Sequence, residues 1–177
     1  MDENIKKGLL KGNIVHFILS KINFLNENNY EAELDKIVSE ATREFIKLQN
    51  YFIEIGDSER ETIKKDIISL LSINEVKDWF FVNDKNAMNF NEKETVNYAG
   101  ELKRIDRLVI CSGRIAVIDY KTGRLDETKS VKYKRQVREY IDILAGIYSN
   151  ISNTGKPDID ISGYILYTDE KRVEKVS

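Results

Sequence analysis

The stretch Arg107–Tyr120, "RLVICSGRIAVIDY", decides how this chain is built. Two short runs rich in β-branched residues flank Ser112-Gly113, a turn pair whose glycine accepts a positive φ, so the stretch reads as a β-hairpin. A two-residue loop sets Cys111 opposite Arg114, and the same register carried back along both strands sets Asp106 opposite Asp119. A four-residue loop at the same centre keeps that register; a three-residue loop turns one of the two side chains to the other face. Directly opposed residues hold their Cβ atoms roughly 4.5–5.5 Å apart, so two carboxylates there repel and call for a cation or a raised pKa. Lys121, two residues beyond Asp119, shares its face. Asp106, Asp119 and Lys121 are thus expected to converge at one end of the hairpin. The competing reading is three solvated charges on an open sheet face. Against it, Ile115 and Val117 keep the Asp119 row apolar up to that point.

Outward from the hairpin, "WFFVN", "ELKRIDRLVI", "RIAVIDY" and "ISGYILYT" are short, aromatic or β-branched, and bounded by turn residues, and they read as strands. Between the last two, Val137, Tyr140, Ile141, Leu144 and Tyr148 recur at helical spacing. Upstream, from about Lys7 to Val76, the pattern is helical, with Ile14, Ile18, Ile22 and Leu25 on one face and Leu34, Val38, Ala41, Phe45 and Leu48 on the next. Ser58 followed by Glu61 reads as a capping box opening a third helix. Pro157 in "SNTGKPD" marks a loop. The order of helices, three strands, helix and strand predicts an α/β domain with a helix crossing between the last two strands. Residues 1–177 are expected to form one domain, with a mainly helical segment at 1–78 and an α/β core at 79–177.

Composition narrows the chemistry. One cysteine, Cys111, excludes an internal disulfide, a zinc knuckle and a cysteine-held iron–sulfur cluster, and fits a reducing cytoplasm. One histidine, His16, excludes sites that need two imidazoles, so a metal here is held mainly by oxygen. Such hard ligands favour Mg²⁺ or Mn²⁺, an ion that polarises a phosphoryl oxygen and lowers the pKa of an attacking water. A lysine beside it can orient that water or stabilise developing charge. These parts suit metal-dependent phosphodiester hydrolysis, and also some non-hydrolytic magnesium sites. The net charge of −2 means that nucleic acid would be met by a local basic patch. No apolar run approaches the ~18 residues of a membrane span, and "MDENIKKGLLKG" lacks the features of a secretory leader.

"RIDR", "VIDYKTG" and "QVREY", taken in order, resemble the RecB-like branch of the PD-(D/E)XK nucleases, and most of all the C-terminal nuclease domain of AddA/RecB-type helicase–nucleases. "GNIVHFILSKI" supplies Gly12 and His16 for that family's first motif, Gln136 and Tyr140 match its Q-x-x-x-Y, and "GYILY" resembles the strand that follows. Glu92 matches its upstream acidic residue, with Glu94 as the lesser match. The resemblance implies a restriction-endonuclease-like mixed sheet flanked by helices. It implies that His16, Asp106, Asp119 and the Tyr120 backbone carbonyl hold Mg²⁺ or Mn²⁺, that Lys121 serves the nucleophilic water, and that Gln136 and Tyr140 support the site or contact the DNA backbone. It also implies DNA as substrate, as single strands or duplex ends, and a helicase in the same polypeptide or a separate subunit, acting in repair or recombination. The implied enzyme is a deoxyribonuclease, exonuclease rather than endonuclease. Relatives with four cysteines bind an iron–sulfur cluster, which this chain is not expected to do. The alternative is a DNA-binding domain of the same fold that has lost cleavage.

Three details are left for the fold to settle. At 100° per residue, His16 falls opposite Ile14, Ile18 and Ile22, so a ligand role requires a flank of that helix to reach the site. Lys129, Lys132, Lys134, Arg135 and Arg138 form a basic run on the Gln136 helix, suited either to a solvated face or to the DNA backbone. Arg104 and Arg107 flank Asp106 and either contact phosphate or pair with Glu101.

Overall fold

A computed structural model of the chain describes residues 3–49, 55–123, 126–152 and 159–176. Four helices come first: α1 (Glu3–Lys21), α2 (Tyr30–Leu48), α3 (Asp57–Leu71) and α4 (Asn74–Phe80). Strands β1 (Met88–Val96), β2 (Leu102–Cys111) and β3 (Arg114–Lys121) follow, then α5 (Glu127–Ser152), β4 (Asp160–Tyr167) and β5 (Arg172–Val176). The sheet order is β1-β2-β3-β4-β5, with β3 and β4 parallel and every other pair antiparallel. A parallel pair needs a crossover, and α5 makes it, as the sequence order predicts.

The hairpin turns at Ser112 (φ 47°) and Gly113 (φ 77°), the two positive φ values of a type I′ turn. The ladder runs from Cys111 opposite Arg114 to Arg107 opposite Ile118, the expected register. One face of the sheet buries Val109, Ile118, Tyr120 and Leu166 against the N-terminal helices, in a core that includes Ile18, Leu34, Phe45, Ile67 and Phe80. The other face buries Ile115 and Val117 against Tyr140 and Leu144 of α5. The result is a mixed sheet with helices on both faces.

Several expectations need correction. "WFFVN" is not a strand: Val76, Trp79 and Phe80 are buried at i, i+3 and i+4, and the segment closes α4. The first strand is β1, whose "MNFNEKETV" has too many polar residues to show a strand pattern. A fifth strand, β5, extends the far edge. The cap of α3 sits two residues earlier than expected: Gly56 is the N-cap, its N–H bonded to Glu59 at 3.2 Å, while Ser58 and Glu61 lie inside the helix. The loop read around Pro157 lies outside the described residues.

Candidate active site

Asp106 and Asp119 lie one step past the last described rung of the β2–β3 ladder, 6% and 1% exposed. They are held differently. Asp106 Oδ2 accepts the backbone N–H of Tyr120 at 2.7 Å, a bond across the strand pair that fixes the carboxylate against β3. Asp119 Oδ2 is 2.6 Å from Lys121 Nζ, while its Oδ1 is buried without a hydrogen bond. Burial pushes the Asp119 carboxyl up to about 6; Lys121 opposes that rise, and the charge of Asp106 adds to it.

α1 brings His16 to these strands because Gly12, one turn earlier, has no side chain. A Cβ there would stand 2.8 Å from Thr122 Cβ, so only glycine lets the helix rest on the end of β3. His16 is on the flank of the buried face and not opposite it, since Val15 and Leu19 are buried too and widen that face towards Gly12. The His16 ring stands edge-on to Tyr120, centroids 5.4 Å apart, which seats the Tyr120 side chain beneath α1.

His16 Nε2 lies 3.2 Å from Glu92 Oε1 and 3.3 Å from Asp106 Oδ1. Burial alone would lower the imidazole pKa. Hydrogen bonding to Asp106 and Glu92, with their charges, outweighs burial and pushes it up to about 9. Without a cation, then, a proton on His16 supplies the positive charge that two facing carboxylates demand.

Glu92 reaches this position by leaving the strand pattern. Its φ is +52°, in the left-handed region, and the β1–β2 ladder passes from Asn91–Arg107 to Lys93–Ile105 without it. Phe90 packs on the α5 side and Asn91 bonds Ile22 of α1's end, so strict alternation would return Glu92 to the α5 side. It meets His16 instead. Its second oxygen is 2.6 Å from Arg104 Nε, so Arg104 pairs with Glu92 while Glu101 pairs with Lys103.

Behind the carboxylates, α5 completes a chain of hydrogen bonds. Lys121 Nζ donates to Gln136 Oε1 (3.3 Å), Gln136 Nε2 donates to Tyr140 Oη (2.7 Å), and Tyr140 Oη donates to the Arg104 carbonyl (2.7 Å). The two side chains of the Q-x-x-x-Y motif thereby tie the Lys121 ammonium to the backbone of β2, two residues before Asp106. The ring of Tyr133 lies 4.7 Å from Lys121 Nζ. The sequence reading missed Tyr133, although its position three residues before Gln136 places both on one helix face.

Arg107 is neither a phosphate contact nor a partner of Glu101. It is fully buried, donating to the carbonyls of Ile22, Asn23 and Trp79 and to Asn91, with its guanidinium over Phe80. In the basic run of α5, Lys134 is 2.6 Å from Glu174 and Lys129 is 3.4 Å from Asp126, and Lys129, Lys132, Arg135 and Arg138 are all exposed. Glu94 is exposed and pairs in register with Arg104 on β2.

The donors suit a hard divalent cation. One ligand atom each from His16, Glu92 and Asp106 lie within 4.8 Å of one another, and the orphaned Asp119 Oδ1 is a buried lone pair awaiting a positive partner. Asp119 stands outside that trio, engaged with Lys121.

The family model described as "PD-(D/E)XK nuclease superfamily" matches residues 2–175, nearly the whole chain. Comparison with curated proteins found no match. The mixed sheet between helices, opened by a helical segment, is the restriction-endonuclease-like architecture expected for that superfamily.

Proposed function

The chain belongs to the PD-(D/E)XK nuclease superfamily, and from that premise we propose that it is a Mg²⁺- or Mn²⁺-dependent deoxyribonuclease of the RecB-like branch. The observation that carries this reading is the meeting of His16, from α1, with Glu92 and Asp106 from two strands. A nuclease nature follows from the superfamily. The finer assignment rests on the Gly12–His16 pair and on the Gln136–Tyr140 pair, each engaged with the site.

His16, Glu92, Asp106, Asp119 and the Tyr120 carbonyl would hold the cation. When bound, it supplies a Lewis acid for the phosphoryl oxygen and lowers the pKa of a water. The chain's own groups do the rest. Lys121, fixed between Asp119, Gln136 and the Tyr133 ring, presents a positioned ammonium that orients the attacking water and offsets charge developing on phosphorus. Gln136 and Tyr140 are positioning residues acting through Lys121 and β2. Lys132, Arg135 and Arg138 face the DNA backbone, with Lys134 joining them if its Glu174 pair opens. The substrate is DNA, as single strands or duplex ends, cut exonucleolytically and delivered by a helicase in the same polypeptide or a separate subunit. The setting is cytoplasmic repair or recombination. Among the described residues, no helix is long and apolar enough to cross a membrane.

The test is cleavage of single-stranded DNA with Mn²⁺, wild type beside Asp119→Ala. Removing a buried carboxylate at the site should cost at least about a hundredfold in rate while DNA binding at low salt persists. Equal inactivity of both proteins, with DNA binding intact, would leave a binding domain of this fold.

A further inference from the structure

A cleft of about 550 Å³ opens beside the cation cluster, between α1, α2 and the β1–β2 pair. Its size is that of a small-ligand pocket. His16 and Glu92 of the cluster are among its lining residues. From His16, at 100° per residue, Asn13, Phe17 and Lys21 follow one another around α1 and form one wall. Phe45 of α2, Gln49 at its C-cap and Arg104 of β2 also line the cleft. Phe17 and Phe45 lie 5.4 Å apart at 59°, so the two rings pack on each other within the wall and Phe17 presents a half-buried ring to the cleft. Asn13 is an exposed lining residue, and Lys21 and Arg104 bring positive charge.

We propose that this cleft seats the unpaired base of a nucleotide next to the phosphodiester being cut, its face on Phe17, its edge at Asn13 and Gln49, and its backbone towards Lys21 and Arg104. An aromatic ring stacks any base, amides pair with base edges, and cations meet phosphate, so the three wall chemistries match the three parts of a nucleotide. A base lying on Phe17 has left its complementary strand, which makes single-stranded or frayed DNA the substrate class. Lys21 now sits 2.7 Å from Glu44 and 4.6 Å from the Phe17 ring, and both ionic partners are solvent-accessible, so the lysine can turn to an arriving phosphate. This inference deepens the nuclease reading and rests on it for the position of the scissile phosphate.

Binding of a short labelled oligothymidylate is measured by fluorescence anisotropy in EDTA, where hydrolysis is off, for wild type, Phe17→Leu, Phe17→Tyr and Asn13→Ala. Base–aromatic stacking is worth about 1–3 kcal/mol, so Phe17→Leu should weaken binding about tenfold. Phe17→Tyr, which keeps a ring, should recover most of the affinity, and Asn13→Ala should lose severalfold. A complementary duplex should show no such dependence on Phe17. Single-strand affinity unchanged in both Phe17→Leu and Asn13→Ala overturns the proposal, as does an equal loss on duplex. If Phe17→Leu lacks a cooperative unfolding transition, Asn13→Ala alone decides. Mn²⁺-dependent cleavage by wild type is scored separately. Cleavage with binding indifferent to Phe17 removes the cleft and leaves the nuclease, whereas Phe17-dependent binding without cleavage does the reverse.

Discussion

Glu92 shows what this site costs at the scale of one residue. A non-glycine side chain at positive φ is disfavoured by the order of 1–3 kcal/mol, and it persists only where surrounding contacts over-determine it. Here those contacts are His16 and Arg104. Glu92→Gly removes the backbone strain and the carboxylate together. The expected outcome is an unfolding free energy equal to or above wild type, by about 1 kcal/mol at most, with Mn²⁺ affinity by calorimetry reduced at least tenfold. An unfolding free energy that falls sharply would mean that the Arg104 ion pair, and not strain, governs the local energy. Strain of this kind is invisible in sequence, where "NFNEKETV" offers Glu92 as the better match and Glu94 as the lesser one by resemblance alone. The left-handed turn at Glu92 is what brings its carboxylate to His16.

At the scale of elements, α1 and β3 meet at a single close approach. Gly12→Ala would place a methyl 2.8–3.0 Å from three atoms of Thr122, a side chain with little room to yield. Overpacking of this sort costs about 1–3 kcal/mol. It should also lift α1 off the strand and carry His16 away from Asp106. Gly12→Ala is therefore expected to lower both the unfolding midpoint and Mn²⁺ affinity, whereas Asn13→Ala on the same helix should lower neither. The hairpin was readable in advance because a two-residue turn sets the register, which runs from Cys111–Arg114 to Arg107–Ile118 as expected, although Ile105 and Leu108 then pack on one face where strict alternation would part them. α5 was readable because its apolar spacing is regular. "WFFVN" misled because aromatic residues favour strands, and their i, i+3, i+4 spacing with Val76 was the better guide. Arg107 could not be read at all. Its partners are carbonyls at Ile22, Asn23 and Trp79, which carry no signature in side-chain identity.

For the whole molecule, the site makes stability depend on pH in a definite direction. His16 is raised to about 9 from its ordinary 6.5, so its contribution is complete below 6.5 and is lost as pH rises through 9. Asp119 is raised to about 6 from 3.8, so the folded chain holds that proton more tightly, and stability again falls as pH rises from 3.8 through 6. Both slopes have the same sign. The metal-free chain should lose on the order of 2–3 kcal/mol between pH 6.5 and 9.5, read as a falling melting temperature. His16→Gln should flatten that fall, and Mn²⁺ at pH 9 should reverse it in wild type by replacing the lost proton's charge. A flat profile in wild type would deny the close contact of His16 with its two carboxylates.

The cluster also joins distant parts of the chain: His16 comes from the first helix, Asp106 from the second strand, and the lysine and glutamine that brace it from still further on. Such long-range contacts form late, after the loops between them have closed. While it is being synthesised, then, the chain carries no assembled cluster. The proposed chemistry would reach a host only when synthesis has passed Tyr140 and the first helix has docked, so the hazard of the proposed nuclease and the completion of its fold would arrive together.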